Sequence, residues 1–583
     1  MKKYLFSLEL LIAITAFTTL PLEGTPSATW TGAIDGDLGN SNNWTPLSAP
    51  GNYTPEYDSD LVFDSSSNTN LTGLLQVGAV ASLTFTPSAP SYTYHVPYGQ
   101  GLTIDGGGIT NNSGRTQTLS IDAGSVTLNN SPVLTGATIA VNGSTSDSSY
   151  GAFYVYGTAS AGNSTIINNG GTIAFDGGGF TTTAINSTLA DATVINNGGV
   201  GLGGYITING NAGNATLIAN GGLAANQSAG GIRFQGGTGG NANITVNGGN
   251  GINAQAGGLS FQYNSTAGSS TVTLNGGTNG GNGAYAYFYN TASGGTSQFI
   301  VNTNAILDIS QVNYAYTVSF GSVEGSGAID LGASKIQIGS LNSNSTISGL
   351  ISDAGLGGQT GGSLDKVGAG TLTLLNSNTY TGGTTIDAGA LAIEGSIQGS
   401  TEIRSGATLK GTGTIYGIVT VDPGGILAPG NSPGTITMES LRLTNSSVLD
   451  FELGTTSDKV VVTTSGGLTL DGILNISDSG GFNTNAPYVL FNYTGTVTND
   501  GLQFGTVPAG YLPSDFSLSV TNGQVEVIAV PEPSIYSLFG IGAVGILILL
   551  RRKKSALKLV LYSKTHLLLE GATRMYYWLR CPI

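Results

Sequence analysis

A short phrase recurs between residues 163 and 310 and fixes the period of the fold. Each copy is a run of alternating β-prone residues, and all but the last close with Asn-Gly-Gly. Successive copies start 28, 23, 27, 28 and 27 residues apart. Self-similarity at this period predicts stacked units that bury their apolar faces against one another. The six copies begin at Ser164, Ala192, Ala215, Ala242, Ser270 and Ser297.

The period has the size of one coil of a parallel β-helix. A second apolar stretch lies between copies, as at Thr172–Phe175, Gly231–Phe234 and Gly258–Phe261. Strands of successive coils would stack about 4.8 Å apart, so equivalent Asn side chains can form ladders, and Gly is expected to supply positive φ at the corners. We therefore predict an all-β fold with a right-handed parallel β-helix, or β-solenoid, as its body. A hairpin meander of the same spacing remains open, and a propeller is disfavoured because its blades are longer.

Composition restricts the partners of this body. Between Thr29 and Val530 the chain has eight basic and 29 acidic residues, a net charge of −21. Phosphate recognition requires clustered Lys and Arg, so we expect no nucleic-acid partner. The only cysteine is Cys581, which leaves no disulfide framework. The 39% hydrophobic content, spread over many short runs, argues against disorder.

The N-terminus has the pattern of a secretory signal. Lys2 and Lys3 precede the largely apolar run Tyr4–Leu20, and small residues at Ser27-Ala28 provide a cleavage site. We assign residues 1–28 to a helical signal peptide, which implies the Sec export machinery as a partner. An uncleaved membrane anchor is the alternative.

The C-terminus has a different arrangement. The sequence Val-Pro-Glu-Pro-Ser at 530–534 precedes the apolar run Ile535–Leu550 and the basic cluster Arg551, Arg552, Lys553 and Lys554. As a helix, the sixteen apolar residues rise about 24 Å, close to the minimum for a bilayer core of about 30 Å. The basic cluster predicts a stop to transfer, with the acidic body outside the inner membrane.

This tail, 530–554, resembles the PEP-CTERM sorting signal of Gram-negative bacteria. The resemblance implies that Pro531, Glu532 and Pro533 are the motif recognised by an exosortase. It further implies that an inner-membrane-anchored intermediate is then transferred to the cell surface or an exopolysaccharide matrix. A plain C-terminal anchor is the alternative. Family members usually stop soon after the basic cluster, whereas this chain continues through 555–583, either as an amphipathic cytoplasmic segment or as read-through of a stop codon; sorting would discard it in either case.

A second resemblance lies in the body. The stretches Leu364–Leu374, Asn378–Ile386 and Ala388–Leu391 closely resemble the autotransporter-associated β-strand repeat, which implies a β-helical surface protein. Gly425–Gly434 is similar to the continuation found in the same families, and Trp30 to their mature start. Only about 60 residues separate Gly472 from the tail, too few for the membrane barrel of an autotransporter. We expect passenger architecture with sorting by the tail.

Few side chains in the body suit catalysis. His95 is its only histidine and lies in an alternating aromatic run, so we interpret it as a strand residue. Serine–histidine catalysis requires a histidine with a carboxylate partner, and zinc sites require several His or Cys ligands. We therefore predict no catalytic residue, cofactor or enzyme activity. Carboxylates could bind calcium or serve a glycosidase or lyase. The weak candidates for either are Asp35, Asp37, Asp58, Asp60 and Asp64.

The predicted function is that of an exported structural or adhesion protein of the cell surface or extracellular matrix, associated with exopolysaccharide or biofilm. The alternatives are a surface polysaccharide lyase or glycosidase, and an adhesin for another cell surface. The predicted regions are a signal peptide at 1–28, an N-terminal β region at 29–159, a β-helix at 160–440 with the repeat at 364–393, a C-terminal β region at 441–529, the sorting tail at 530–554 with a transmembrane helix at 535–550, and an extension at 555–583.

Overall fold

The computed structural model describes residues 27–46, 55–73, 79–145, 149–174, 176–313, 316–465, 467–521 and 523–530. They form an all-β, right-handed-type solenoid of about 17 turns, which confirms the predicted body. Helical structure in these ranges is confined to the 3-10 turns Ser41–Asn43 and Pro513–Asp515, and none of it is long and apolar enough to cross a membrane. Ser27 and Ala28, assigned to the signal helix, instead begin a strand; the rest of that helix and the tail helix lie outside the described residues.

The described residues of the solenoid contain forty-nine short strands. The first 24 in chain order are β1 (Ser27–Trp30), β2 (Trp44–Pro46), β3 (Asp60–Phe63), β4 (Asn70–Leu71), β5 (Ala79–Phe85), β6 (Thr93–Val96), β7 (Gly101–Asn111), β8 (Gln117–Ile121), β9 (Ser125–Leu128), β10 (Val133–Thr135), β11 (Ala137–Val141), β12 (Ala152–Val155), β13 (Thr165–Asn168), β14 (Phe180–Thr183), β15 (Thr193–Asn196), β16 (Tyr205–Ile208), β17 (Thr216–Ala219), β18 (Gly231–Gln235), β19 (Asn243–Val246), β20 (Gly258–Gln262), β21 (Thr271–Leu274), β22 (Tyr285–Asn290), β23 (Gln298–Val301) and β24 (Ile306–Val312).

The remaining strands continue the stack to the end of the described chain. They are β25 (Thr317–Phe320), β26 (Ser322–Gly325), β27 (Ala328–Asp330), β28 (Lys335–Ile338), β29 (Ser345–Ile347), β30 (Ile351–Ser352), β31 (Ser363–Lys366), β32 (Thr371–Leu374), β33 (Thr384–Ile386), β34 (Ala390–Ile393), β35 (Ser396–Ile397), β36 (Thr401–Ile403), β37 (Thr408–Gly411), β38 (Thr414–Val421), β39 (Ile426–Pro429), β40 (Thr435–Leu443), β41 (Val448–Leu453), β42 (Lys459–Val462), β43 (Leu468–Leu470), β44 (Ile473–Asp478), β45 (Tyr488–Tyr493), β46 (Val497–Asn499), β47 (Gln503–Phe504), β48 (Phe516–Thr521) and β49 (Gln524–Ala529).

Three sheets run along the solenoid axis. Sheet 1 extends from β1 to β30 and forms one side of the N-terminal half, while sheet 3 extends from β25 to β49 and forms one side of the C-terminal half. Sheet 2 runs along both halves and includes β11, β13 and every later repeat strand up to β47. Pairing between coils is parallel; the antiparallel strand pairs are β1 with β2 at one end and β45, β49 and β48 at the other. Parallel pairing rules out the hairpin meander.

The recurring phrases stack in register, as the period predicts. They form β13, β15, β17, β19, β21 and β23 of sheet 2, and Ile166 pairs with Val194, which pairs with Leu217. Each strand alternates between half-exposed and buried residues. A row of apolar side chains therefore lies along the inside of the sheet.

An asparagine ladder runs beside these strands. The side-chain Nδ2 of each Asn donates to Oδ1 of its counterpart in the preceding coil over 2.8–2.9 Å. All the bonds point the same way, and each interior side chain is both donor and acceptor. The ladder therefore confirms the predicted role of the Asn-Gly-Gly phrases. Its members are Asn142, Asn169, Asn197, Asn220, Asn247, Asn275 and Asn302.

The glycines that follow the ladder serve a different purpose from the predicted one. None of Gly170, Gly198, Gly221 and Gly248 has a positive φ; instead, a Cβ on any of them would lie within 2.6 Å of the next coil's backbone. They permit close approach between coils. Positive φ values of 49–66° occur at another corner of the coil, at Gly162, Ala190, Gly213, Gly240, Gly268 and Gly295.

In one coil the second apolar stretch does not form a strand. Thr172–Ala174 lies in a turn, and the strand of that coil is β14, Phe180–Thr183. Its Thr181 and Thr183 are fully buried, and the Thr181 hydroxyl donates to Asn168 Oδ1 over 2.7 Å. Burial of the Thr181 hydroxyl is possible because Asn168 supplies its acceptor, and the Thr183 hydroxyl accepts from the N–H groups of Asn209 and Gly210.

Aromatic side chains fill the core at selected coils. Phe234, Phe261 and Phe288 stack along the axis with ring centroids 4.7 and 4.8 Å apart. At the N-terminal end, Trp30 packs edge-on against Trp44 at 5.1 Å, and β1 already begins at Ser27. The antiparallel β2 and these rings cover the first coil, as terminal repeats of solenoids must.

We predict that Asn247→Ala lowers local stability by about 2 kcal/mol, because it leaves the Nδ2 of Asn275 and the Oδ1 of Asn220 unpaired. Hydrogen exchange of the flanking strands β17 and β21 is the appropriate measurement, since solenoid coils unfold locally. Asn445→Ala, at an exposed turn, is the matched control. Unchanged exchange in β17 and β21 would show that the ladder does not stabilise the stack.

Candidate functional site

The predicted sorting residues follow the last strand directly. Pro531, Glu532 and Pro533, and the basic cluster at 551–554, lie outside the described residues. The described chain ends at Val530, whose N–H donates to the Asp515 carbonyl over 2.8 Å and whose side chain is 45% exposed. The motif therefore begins immediately after an exposed end of the folded body.

The predicted calcium ligands Asp35 and Asp37 brace a turn. Asp35 accepts hydrogen bonds from Asn43 Nδ2 at 2.6 Å, from Asn40 Nδ2 at 3.2 Å and from the Asp37 N–H at 3.0 Å. The bond from Asn43, followed by that from Asp37, lowers the pKa of Asp35. Asp37 accepts from the Gly39 N–H over 2.9 Å. Both carboxylates thus organise the loop between β1 and β2.

Asp60 and Asp64 are also engaged, in their case with hydroxyl groups of the next coil. Asp60 accepts from the Ser82 hydroxyl over 2.5 Å, and Asp64 accepts from the hydroxyls of Thr86 and Ser88. The bond from Ser88, then that from Thr86, lowers the pKa of Asp64. Within the described ranges, no three His, Cys, Asp or Glu side chains form a group that could hold a metal ion.

A carboxyl pair that sequence reasoning missed involves Asp58. Burial raises the pKa of Asp105 on β7, and a hydrogen bond and like-charge repulsion from Asp58 raise it further. Asp58 has a left-handed backbone with φ of 61°. The two residues are 47 positions apart and meet only because β7 stacks two coils beyond the turn that holds Asp58, so no local pattern signals the pair.

His95 lies on strand β6, as predicted, and ends the asparagine ladder. Its Nδ1 is 2.7 Å from Asp122, which also accepts from Asn142 Nδ2 over 2.6 Å and from the Ser120 hydroxyl over 2.7 Å. Burial opposes ionisation of Asp122, but the bonds from His95, Ser120 and Asn142 lower its pKa overall. Because Ser120 donates to the carboxylate and not to His95, the arrangement differs from that of an activated serine.

Lys366, within the repeat at 364–393, is almost fully buried. Its ammonium donates to the carbonyls of Val367, Gly368 and Ala388 over 2.7, 2.8 and 3.1 Å. Burial lowers the pKa of Lys366 to about 8. The side chain therefore ties the turn after β31 to the corresponding turn of the next coil.

Two other residues of the repeat have equally internal roles. Asn378 accepts from the Ile351 N–H over 2.9 Å and donates to the carbonyls of Asn376 and Ser396. The buried Tyr380 shares a 2.7 Å hydrogen bond with Thr384, and burial raises its pKa. Asn378 thus links adjacent coils, whereas the hydrogen bond of Tyr380 lies within its own coil.

We predict that Lys366→Met destabilises the coils around β31 and β33 by roughly 2–4 kcal/mol, because three turn carbonyls lose their donor. Limited proteolysis and hydrogen exchange in these strands would measure the loss. Lys459→Met, at a partly exposed position on β42, controls for removal of a positive charge. Equal behaviour of the two variants would contradict the assigned role of Lys366.

The carboxyl pair predicts a pH dependence of stability. Because the pKa of Asp105 is raised in the fold, folded chains retain its proton longer than unfolded chains, and stability falls as pH rises above 3.8 through that folded pKa. Asp105→Asn should match the parent chain near pH 3 and unfold at higher urea concentration at pH 7. Asp64→Asn should show the opposite sign at pH 7, since the pKa of Asp64 is lowered.

Two family models match parts of the chain. Residues 364–393 match the passenger-associated-transport-repeat, and residues 529–553 match the PEP-CTERM protein-sorting motif. Both matches coincide with the two resemblances inferred from the sequence.

Two relatives are similar over 200 and 75 residues. One is the adhesin BmaC autotransporter of Brucella suis biovar 1 (strain 1330), 34% identical over 200 residues, 31% of this chain and 6% of that protein. The other is an extracellular serine protease of Serratia marcescens, 47% identical over 75 residues, 13% of this chain and 7% of the protease. The similarity thus spans a small part of each relative's length.

The repeat match falls on in-register strands of the solenoid, and the sorting match begins where the solenoid ends. Together they indicate an exported cell-surface protein. The chain therefore contains a PEP-CTERM sorting motif at 529–553 and a passenger-associated-transport-repeat within its β-helix.

Proposed function

We propose that this protein is a structural or adhesive component of the cell surface or extracellular matrix, sorted by an exosortase and associated with exopolysaccharide in a biofilm. The observation that carries the proposal is the position of the sorting motif directly after an exposed end of a long parallel solenoid. Such a body offers a long, regular surface, and Val530 next to the motif is exposed.

The role of the tail follows from its placement. The antiparallel pair β48 and β49 closes the body, and the exposed Val530 leads straight into Pro531. A membrane enzyme could reach this segment without unfolding any coil. We expect Pro531, Glu532 and Pro533 to form the recognised motif, the apolar run 535–550 to hold the intermediate in the inner membrane, and the extension 555–583 to be removed with it.

An adhesin is the second candidate, because the Brucella relative is named as one. The two roles differ in what the body contacts: polysaccharide of its own matrix, or the surface of another cell. Purified protein that pellets with exopolysaccharide but does not bind cells stripped of it supports the matrix role. Binding to stripped cells supports the adhesin.

The sorting proposal predicts that replacing Pro531, Glu532 and Pro533 together by Ala keeps the chain in the inner-membrane fraction with its C-terminus intact. The parent chain, expressed in a host with an exosortase, should appear at the surface or in the medium with an end near residue 531. Fractionation with mass spectrometry of C-terminal peptides measures both outcomes.

Pro513→Ala, a proline change outside the motif, should leave sorting unchanged. The same parent chain in a host from which the exosortase is deleted should behave like the triple variant. Surface-exposed chains that still reach Ile583 would overturn the proposal.

A further inference from the structure

Aromatic side chains form two groups on the outer face of sheet 1. On the N-terminal side, Phe180 and Tyr205 stack at 5.7 Å, with Tyr154 packed edge-on against Phe180 at 5.6 Å. On the C-terminal side, Tyr285 and Tyr287 stack at 4.6 Å. All are outward-facing and partly exposed, so none is needed to fill the core.

Two glycines separate these groups. Tyr205 pairs with Gly231, Gly231 with Gly258, and Gly258 with Tyr285, so the four positions form one row across β16, β18, β20 and β22. Gly231 is partly exposed, whereas Gly258 is buried beneath Tyr285. With coils about 4.8 Å apart, Tyr205 and Tyr285 stand about 14 Å from each other. We call this row, bounded by the two tyrosines, the glycine trough.

The backbone alone does not explain either glycine. Neither has a positive φ, and glycine within a strand weakens it. At Gly258 a Cβ would lie 2.6 Å from Tyr285 Oη, so this glycine allows the tyrosine ring to lie down across the sheet. At Gly231 the nearest atom to a Cβ would be Tyr205 Cβ at 3.7 Å, so the position is open to solvent. Open glycines in strands are typical of places where a ligand approaches the backbone.

Polar groups lie beside the trough. Arg233 and Ser260 occupy the neighbouring outward row between Thr207 and Tyr287, and Arg233 has no carboxylate within ion-pair distance among the described residues. Next to Tyr285 and Tyr287, a hollow of about 400 Å³ is lined by the amides of Gln255, Asn282 and Asn304. Planar rings beside guanidinium, hydroxyl and amide groups match the C–H faces and hydroxyls of sugars.

The charges around the trough indicate whether a neutral or an anionic polysaccharide would bind there. Arg233 is the single cation in this row, and Asp308 and Asp330 follow Tyr287 along it. The body as a whole has eight basic and 29 acidic residues between Thr29 and Val530. A polyanion would therefore be repelled, whereas a neutral chain avoids that cost. Because the coils stack in a straight row, the trough also favours an extended chain.

We propose that the glycine trough binds a neutral, extended β-linked polysaccharide, with pyranose rings stacked on Tyr205 and Tyr285 across Gly231. This inference rests on the proposed matrix function and names the ligand class and the site. Arg233, Ser260 and the amides of the adjoining hollow donate hydrogen bonds to ring hydroxyls. The rest of sheet 1 aligns the chain but contributes less binding.

Isothermal titration of the full chain with cellohexaose, xylohexaose and chitohexaose tests the proposal, in a detergent without a sugar headgroup. At least one neutral hexasaccharide should bind, and Gly231→Val should weaken its binding at least tenfold. Valine at this position fits the available space and favours a strand, so a variant that retains its far-UV circular dichroism but loses binding identifies an occupied surface.

Tyr285→Ala should weaken binding similarly, whereas Tyr98→Ala, at a 72% exposed turn, is the matched control and should bind as the parent does. The proposal is overturned if no neutral hexasaccharide binds, if Gly231→Val binds unchanged, or if hexagalacturonate binds more tightly. Self-association that Gly231→Val abolishes, without sugar binding, would instead assign the face to a second copy. Tail processing is measured separately, so failure here leaves the sorting result intact, and failed sorting leaves sugar binding intact.

Discussion

The structure depends on the close, in-register approach of each coil to the next. At the Asn-Gly-Gly corners there is no room for a Cβ, and the ladder amides satisfy one another across the same gap. Parallel strands on both sides of that corner must then repeat at the same spacing, and each inward position becomes a row of apolar side chains. An unmatched amide or an added methyl at one corner would disturb two coils at once.

The sequence predicts the parts of the fold that repeat locally. The phrase beginning at Ala192 identifies β15 because alternation and the Asn-Gly-Gly ending occur together. Apolar content alone does not distinguish a turn from a strand, as residues 172–174 show. The strand of that coil, β14, buries Thr181, whose hydroxyl donates to the inward-facing Asn168.

The candidate sites were predictable only where a contiguous motif carries them. The tail and the repeat at 364–393 are such motifs, and both were recognised. The role of Lys366 was not, since one of its acceptors, Ala388, lies 22 residues away on the next coil. Asp105 beside Asp58, and Tyr205 in the same row as Tyr285, likewise require the register of intervening coils. In a solenoid, side chains that act together are separated by whole periods, and small variations in period hide them.

Sheet 3 replaces sheet 1 along the axis, so the aromatic face and the passenger-associated repeat lie in different halves of the solenoid. Sheet 1, with its aromatic outer face, ends at β30, whereas sheet 3 and the passenger-associated repeat belong to the C-terminal half. Sheet 2 joins the halves without interruption, so the stack from β21 to β44 holds the aromatic face roughly 40 Å from the end that leads into the sorting motif. The distance between the aromatic face and that end depends on the rigidity of the intervening coils more than on the side chains that they expose. Accordingly, Lys366 and Asn378 of the repeat form hydrogen bonds between coils.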